Sequence, residues 1–221
     1  GEYDFYRTRL THSLEVVSVG RSLGMIVGEK LANLPTLKED EKARDFYRNQ
    51  LKSVVSAACL AHDLGNPAFG HSGEEAISKY FLDREHDKGF RAAFTAGEWE
   101  DLSHFEGNAN ALRLLSRQFK GRMKGGLQMT YTTLASILKY PCESLARDKK
   151  KGKHRSKYGF FQDDQEVFEA IVREFPLALD SEKPLAYRRH PFVYLVEAAD
   201  DICYSIIDYE DAHRLGILSF E

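Results

Sequence analysis

The chain has 221 residues, with 31 basic and 34 acidic side chains and a formal net charge of −3 at pH 7. This weak charge gives no global reason to expect nucleic-acid binding, and no apolar run approaches the roughly 18 residues of a membrane span. The first residues, Gly1-Glu2-Tyr3-Asp4, have neither a Met nor the basic and apolar regions of a signal peptide, which predicts a fragment of a longer protein.

Apolar residues recur at helical spacing along most of the chain. The clearest stop follows His62, where Gly65 can cap a helix and Pro67 cannot continue it. Helices are predicted over about residues 9–33, 45–62, 72–82, 106–119, 130–140, 163–175 and 191–215. Residues 83–104 show no helical spacing, and residues 143–158 read as a solvated basic loop. With no convincing strand, the sequence predicts a single all-α domain over residues 1–221.

The cysteines number three and form no CxxC pair. Cys59 and Cys203 lie within apolar helical patterns, which favours buried thiols over disulfides or ligands. We therefore expect a reducing, cytoplasmic compartment.

The pair His62-Asp63 lies at the end of a predicted helix. It places an imidazole nitrogen beside a carboxylate oxygen, and both suit a divalent transition metal. A His-Asp pair also occurs by chance, and the alternative is a pair of residues that terminate the helix.

A second histidine follows after a tight turn, at the start of the next predicted helix. Glu74 lies three residues after His71, so its carboxylate could hydrogen-bond the imidazole and raise its basicity. The alternative is a surface histidine beside a glutamate that interacts with the helix dipole.

The last predicted helix carries Asp200, Tyr204 and Asp208 at spacing i, i+4, i+8, on one face. We expect an apolar stripe containing Leu195, Ala199, Ile202 and Ile206 on the other face. Acidic groups in so apolar a helix are costly unless they are paired or bind a metal, although an exposed acidic face is the alternative. His12 lies on the less apolar face of the first helix, where a histidine is usually a surface residue or one whose hydrogen bonds are satisfied within the fold.

The order of these motifs resembles the HD superfamily of metal-dependent phosphohydrolases, and within it the bacterial dGTPase family. Four segments carry the resemblance: Arg7-Thr-Arg-Leu-Thr-His12-Ser-Leu-Glu-Val16, Ala61-His62-Asp63-Leu-Gly-Asn-Pro-Ala-Phe-Gly-His71-Ser-Gly-Glu74, Phe105-Glu106-Gly107-Asn108-Ala109, and His190-Pro191 followed by Glu197-Ala-Ala-Asp200-Asp201-Ile202-Cys203-Tyr204. Ala68 stands where many relatives have Pro, and the later substrate-contacting Tyr and Arg residues of the family would lie past Glu221.

The resemblance implies an HD-domain helical bundle and a role for each matching residue. His12, His62, Asp63 and Asp200 would bind the metal, with Asp200 preferred to Asp201 because the substrate-facing tyrosine follows four residues later. His71 would be the catalytic histidine and Glu74 its partner. Arg9 would contact the α-phosphate, Tyr204 the sugar and Asp208 the 3′-hydroxyl, and Lys157 and Tyr158 would reach the triphosphate.

The implied reaction is attack of water at the α-phosphorus of a dNTP, with dGTP favoured, releasing a deoxynucleoside and tripolyphosphate. Mixed N and O ligands suit Mn, Fe, Ni, Co or Zn, with Mg an option in vivo. By analogy with relatives, a homo-oligomer such as a hexamer and a regulatory contact of residues 147–157 with single-stranded DNA are expected, and no membrane partner.

Three other functions remain open from the residues. Another HD enzyme, a nucleotidase or cyclic-nucleotide phosphodiesterase, would share the metal ligands but would not release tripolyphosphate. A non-catalytic nucleotide sensor would not need the pair His71 and Glu74. A nucleic-acid-binding protein would use the basic segment and show a steep salt dependence.

Overall fold

The computed structural model describes residues 8–121 and 123–219. The all-α prediction is confirmed, because within these residues the only sheet is a short antiparallel pair of strands. Arg7 of the first motif, the Gly1–Asp4 start and the Glu221 end lie outside the described residues. The helices are α1 (Arg9–Ala32), α2 (Glu41–Asp45), α3 (Leu51–Ala61), α4 (His71–Leu82), α5 (Lys88–Arg91), α6 (Ala96–Ser103), α7 (Gly107–Ser116), α8 (Tyr131–Ile137), α9 (Gln165–Glu174) and α10 (Val193–Arg214), and the strands are β1 (Leu179–Ser181) and β2 (Ala186–Tyr187).

The described residues divide into two compact units, one formed by residues 8–61 and 194–219 and the other by 62–121 and 123–193. A single domain over residues 1–221 stays a prediction. Among the described residues, no helix combines the length and apolar character that a membrane crossing requires.

The first unit is built on close packing of α1 against α3. The buried face of α1 is lined by small residues, and a Cβ on Gly24 would lie 2.8 Å from the Cα of Lys52. On the same face, a Cβ on Gly20 would collide with the Sγ of Cys59. The helix therefore buries its glycine face, while Leu10 and Leu14 are 65% and 53% exposed.

Helix α10 buries a different stripe from the predicted one. Val193, Val196, Ala199 and Cys203 are buried, whereas Ile202 and Ile206 are exposed. The buried residues still follow helical spacing, but the buried face is rotated relative to the predicted one. A helix with this many apolar residues has several apolar stripes that could face the core.

The predicted second helix is interrupted. A π-helical segment, Phe46–Gln50, separates α2 from α3, and α3 ends at Ala61, directly before His62. The last-but-one predicted helix, over about residues 163–175, is observed as α9 and begins at Gln165. Asp164 precedes the helix but makes no capping hydrogen bond, because its carboxylate accepts a 2.7 Å hydrogen bond from the Nε of Arg113.

The second unit contains two helices, α5 and α6, within residues 83–104, where the sequence showed no helical spacing. Aromatic rings rather than a periodic aliphatic stripe hold this region: Phe90, Phe94 and Trp99 contact one another and Phe81 at centroid distances of 5.4–6.5 Å. The interpretation of residues 83–104 as irregular was wrong, since short helices held by clustered rings do not require long-range periodicity.

The interpretation of residues 143–158 as a solvated loop was wrong on both sides of its lysine run, since Ser144, Ala146 and Tyr158 are buried. Lys149–Lys151 is exposed, but His154 and Arg155 are buried and both contact Asp180 of β1, at 3.1 and 3.3 Å. The Nε of Arg155 also donates to the carbonyl of Ala146. These basic side chains therefore tie the segment to the hairpin, because a buried charge requires a partner.

Candidate active site

In the first unit, His12 lies beside the acidic face of α10. Its Nε2 is 3.1 Å from Oδ1 of Asp200, and its ring lies 4.8 Å from the ring of Tyr204. His12 is 8% exposed and its ring contacts Asp200, so it is an enclosed, paired histidine rather than a surface one. Asp200 is half-buried while the neighbouring Asp201 is exposed, which places only Asp200 against the imidazole.

In the second unit, His62 and Asp63 directly follow the last residue of α3. The Nε2 of His62 lies 3.7 Å from Oδ1 of Asp63, and both side chains are largely shielded. Asn66 donates a 2.7 Å hydrogen bond to the same oxygen of Asp63, which orients the carboxylate. The turn packs tightly against α7, since a Cβ on Gly65 would collide with the backbone of Gly107 and Ala111.

The turn ends in two residues with positive φ, Phe69 at 66° and Gly70 at 55°. Left-handed backbone is unusual for a residue as large as Phe69, whose side chain is left in solvent at 90% exposure. The following residue, His71, begins α4, so its ring lies at the positive end of the helix dipole.

His71 and Glu74 form the pair that the sequence predicted. The Nδ1 of His71 lies 2.7 Å from Oε2 of Glu74; the imidazole is 82% exposed and the carboxylate only 10%. The other oxygen of Glu74 accepts a 2.8 Å hydrogen bond from the backbone N–H of Gly107. A buried, oriented carboxylate thus holds an accessible imidazole whose Nε2 edge points away from the contact.

Sequence reasoning gave Glu106 no role, although it lies in the third motif. Glu106 is buried, and its Oε2 lies 3.1 Å from the Nζ of Lys157, which is itself 4.0 Å from Oε2 of Glu74. Burial alone would lower the pKa of Lys157, but the carboxylates of Glu106 and Glu74 raise it above its usual value. The third motif, Phe-Glu-Gly-Asn, could have indicated that Glu106 is functional. Its partner Lys157 lies 51 residues away, so the spacing of residues could not predict the contact.

The remaining predicted substrate residues differ in exposure. Arg9, Tyr204 and Asp208 are exposed. Tyr158 is 1% exposed, and its hydroxyl donates a 2.6 Å hydrogen bond to the carbonyl of Asp101, with burial raising the pKa of the phenol. This geometry gives the Tyr158 hydroxyl a structural role in the second unit, so we do not propose it as a triphosphate ligand.

His190 of the fourth motif is also enclosed. Its ring contacts Phe175 and Phe192 at 5.3 and 4.7 Å, its Nδ1 accepts from the N–H of Phe192, and burial lowers its pKa. These contacts favour a role in holding the start of α10.

The three cysteines are buried thiols, as expected for Cys59 and Cys203. Burial raises the pKa of Cys59 and of Cys142 to about 12, which leaves these sulfurs protonated and unreactive at neutral pH.

The geometry provides two histidine–carboxylate pairs with donors suited to a divalent cation, followed by an exposed histidine on a buried carboxylate. A protein-family model described as HD domain matches residues 9–212, which include both pairs and His71. The chain belongs to the HD-domain family.

Curated relatives of this HD domain carry a common name. It is 45% identical over 97% of its length to a deoxyguanosinetriphosphate triphosphohydrolase-like protein of Synechocystis sp. and 42% identical over 98% to one of Pseudomonas aeruginosa. It is 35% identical over 97% of its length to a deoxyguanosinetriphosphate triphosphohydrolase of Yersinia enterocolitica. The matches cover 48%, 46% and 45% of those proteins, so the chain spans about half the length of these relatives.

Proposed function

We propose that this HD domain carries the catalytic residues of a metal-dependent dNTP triphosphohydrolase, with dGTP as the favoured substrate. Water attacks the α-phosphorus, a new P–O bond forms, and the bond from phosphorus to the 5′-oxygen breaks. The products are a deoxynucleoside, whose 5′-oxygen takes up a proton, and intact tripolyphosphate. The names of the relatives support this substrate class.

The observation that carries the proposal is the 2.7 Å contact between His71 and Glu74. Glu74 stabilises the protonated imidazole, and the exposed ring offers its proton at Nε2 to a leaving alkoxide. His71 therefore acts as the general acid, and a pure nucleotide sensor would have no use for it. The position of His71 at the N-terminus of α4 also favours an anionic substrate.

His12, His62, Asp63 and Asp200 are proposed to hold the metal. Two imidazoles and two carboxylates fit a divalent ion such as Mn, Fe, Ni, Co or Zn, with Mg an option in vivo. When bound, such an ion supplies charge stabilisation at the phosphate and lowers the pKa of a bound water. Asn66 is not one of the proposed ligands, but its hydrogen bond to Asp63 orients that carboxylate.

Exposed residues of the first unit are proposed to bind the substrate. Arg9 neutralises phosphate charge through its guanidinium. Asp208 accepts a hydrogen bond from the 3′-hydroxyl, and Tyr204, which already contacts the His12 ring, packs against the sugar near C2′.

The deciding experiment incubates the protein with each dNTP and Mn and separates the products by ion-exchange chromatography. Release of deoxynucleoside and tripolyphosphate in equal amounts is expected, and none from a His71→Gln variant that still binds Mn. Release of inorganic phosphate or pyrophosphate would instead identify a different phosphohydrolase of this family and overturn the proposal.

Assembly, location and DNA contact stay predictions. A homo-oligomer, a hexamer by analogy, is carried over from the resemblance, and a cytoplasmic location from the cysteine pattern. A regulatory contact with single-stranded DNA would use the exposed Lys149–Lys151, because His154 and Arg155 are committed to Asp180. Binding that weakens steeply with salt and is lost when these lysines are neutralised would support it.

A further inference from the structure

The turn before α4 holds an aromatic ring in solvent at the cost of backbone strain. Phe69 is 90% exposed, more than any other large apolar side chain that the structure describes. Its φ of 66° lies in the left-handed region, which is unfavourable for a residue with a bulky side chain. A glycine or an asparagine would adopt this backbone more readily and would leave no apolar ring in water. The fold alone therefore does not account for a phenylalanine at this position.

The backbone on both sides of Phe69 is fixed by close contacts. The N–H of Gly70 donates to the carbonyl of Pro67 at 3.1 Å, which closes the turn. A Cβ on Gly73 would collide with the carbonyl oxygen of Ala68, so the first turn of α4 packs directly on the residue before Phe69. The strained conformation is thus imposed by its neighbours, as is common where strain serves a site.

Phe69 lies beside the accessible imidazole of His71. Two peptide units separate the residues, so their Cα atoms are at most about 7 Å apart. The His71 side chain is 82% exposed, and both rings therefore face solvent in the same part of the second unit.

The proposed reaction indicates which part of the substrate lies there. His71 gives its proton to the 5′-oxygen, and this atom leaves with the deoxynucleoside rather than with tripolyphosphate. A side chain next to the general acid therefore lies closest to the nucleoside end of a dNTP. A phenyl ring has no donor for phosphate oxygens, but it offers an apolar face to a sugar and can stack on a base.

We propose that Phe69 is a substrate-contacting residue whose ring packs against the nucleoside part of a dNTP. This inference rests on the proposed function and adds a residue to it. Because every base has a π-face, the contact strengthens the binding of all dNTPs without selecting one base. The rigid turn holds the ring in place before the substrate arrives, so less conformational freedom is lost on binding.

Removal of the ring should separate stability from binding. Phe69→Gly and Phe69→Asn suit a left-handed φ, so we expect a Tm between the original value and about 4 °C above it. The affinity for a non-hydrolysable dGTP analogue in Mn should fall at least about fivefold, while that for tripolyphosphate in Mn should stay within about twofold. Phe69→Tyr keeps a ring and should bind both ligands like the original chain. Phe119→Ala, at a phenylalanine that is 39% exposed in the same unit, is the matched control.

Isothermal titration calorimetry gives the two affinities, scanning calorimetry the Tm, and light scattering the mass in solution. Selective loss of the analogue in the Gly and Asn variants, restored in the Tyr variant, supports the proposal. Equal losses for both ligands, or no loss, overturn it. A Tm several degrees lower or a changed mass would place the ring in a packing contact within the fold or with a second copy, and would also overturn it. If the unmodified chain bound no analogue, the proposed function would fail together with this inference.

Discussion

The carboxylate of Glu74 lies 2.7 Å from an imidazole that is 82% exposed, while the carboxylate itself is only 10% exposed. This difference in exposure gives the two residues different roles. Glu74 is fixed inside the second unit by Gly107, and His71 presents its far ring edge to solvent, where a substrate would lie.

Replacing either member of this pair should impair chemistry and spare binding. For His71→Gln and Glu74→Gln we expect kcat to fall about 100- to 10,000-fold, since a positioned general acid contributes that much. Steady-state kinetics with dGTP would measure it, and KM should change little. The neighbouring Glu75, exposed on the same helix, provides the control Glu75→Gln, which should be fully active. Full activity of His71→Gln would exclude it as the general acid.

Asp200 and Asp201 offer a matched test of the metal ligand. Asp200 contacts His12 at 3.1 Å, whereas Asp201 is exposed. Asp200→Asn should lose both stoichiometric Mn and activity, because a carboxylate ligand is replaced by a neutral amide. Asp201→Asn should keep both. Metal content after dialysis, measured by mass spectrometry, is the readout, and equal Mn in the two variants would contradict the assignment.

The close approach of α1 and α3 should make Gly24 intolerant of a side chain. A Cβ there would lie 2.8 Å from Lys52 Cα, which is backbone and cannot rotate away. We expect Gly24→Ala to lower the free energy of unfolding by about 1–3 kcal/mol, despite the better helix propensity of Ala. Urea denaturation measures this, with Ser22→Ala on the exposed face as the control. A stabilised Gly24→Ala would show that the two helices are not in close contact.

Asp101 should make stability depend on pH in the weakly acidic range. Burial raises the pKa of Asp101 to about 6, even though its carboxylate accepts a 2.7 Å hydrogen bond from the N–H of Gln162. A raised pKa in the folded state means that its stabilising contribution is complete below about pH 4 and is lost as the pH rises through about 6. The loss is on the order of 2–3 kcal/mol.

The variant Asp101→Asn should remove this dependence, because Asn can accept from Gln162 without a charge. The difference in unfolding free energy between the original chain and the variant, measured from pH 4 to 8, should favour the variant increasingly as pH rises. Asp163→Asn, at an exposed neighbouring carboxylate, is the control and should show little change. A difference independent of pH would show that Asp101 titrates normally.

Several features were predictable because they depend on neighbours in the sequence. The stop after His62 came from Gly65 and Pro67, and α3 does end at Ala61. The pairing of His71 with Glu74 followed from their spacing of three residues on a helix. The order of the motifs led to the HD-domain family, which the match over residues 9–212 confirms.

The sequence did not predict which residues of other segments are buried, because the contacts that bury them follow no periodic pattern. In α1, close helix packing buries Gly20 and Gly24, while the larger apolar residues Leu10 and Leu14 are exposed. The apparently solvated segment contains Arg155, which is buried because Asp180 pairs with it. A basic or glycine-rich stretch does not reveal, by its own pattern, what it will pack against.

The sequence by itself determined the helical class, the family and the local histidine–carboxylate pairs, because helix spacing and turn residues act over a few positions. Only the tertiary structure decided which distant charges meet: His12 with Asp200, 188 residues apart, and Glu106 with Lys157, 51 residues apart. Such pairs form because burial makes an isolated charge costly, and the partner that relieves the cost is chosen by how the helices pack.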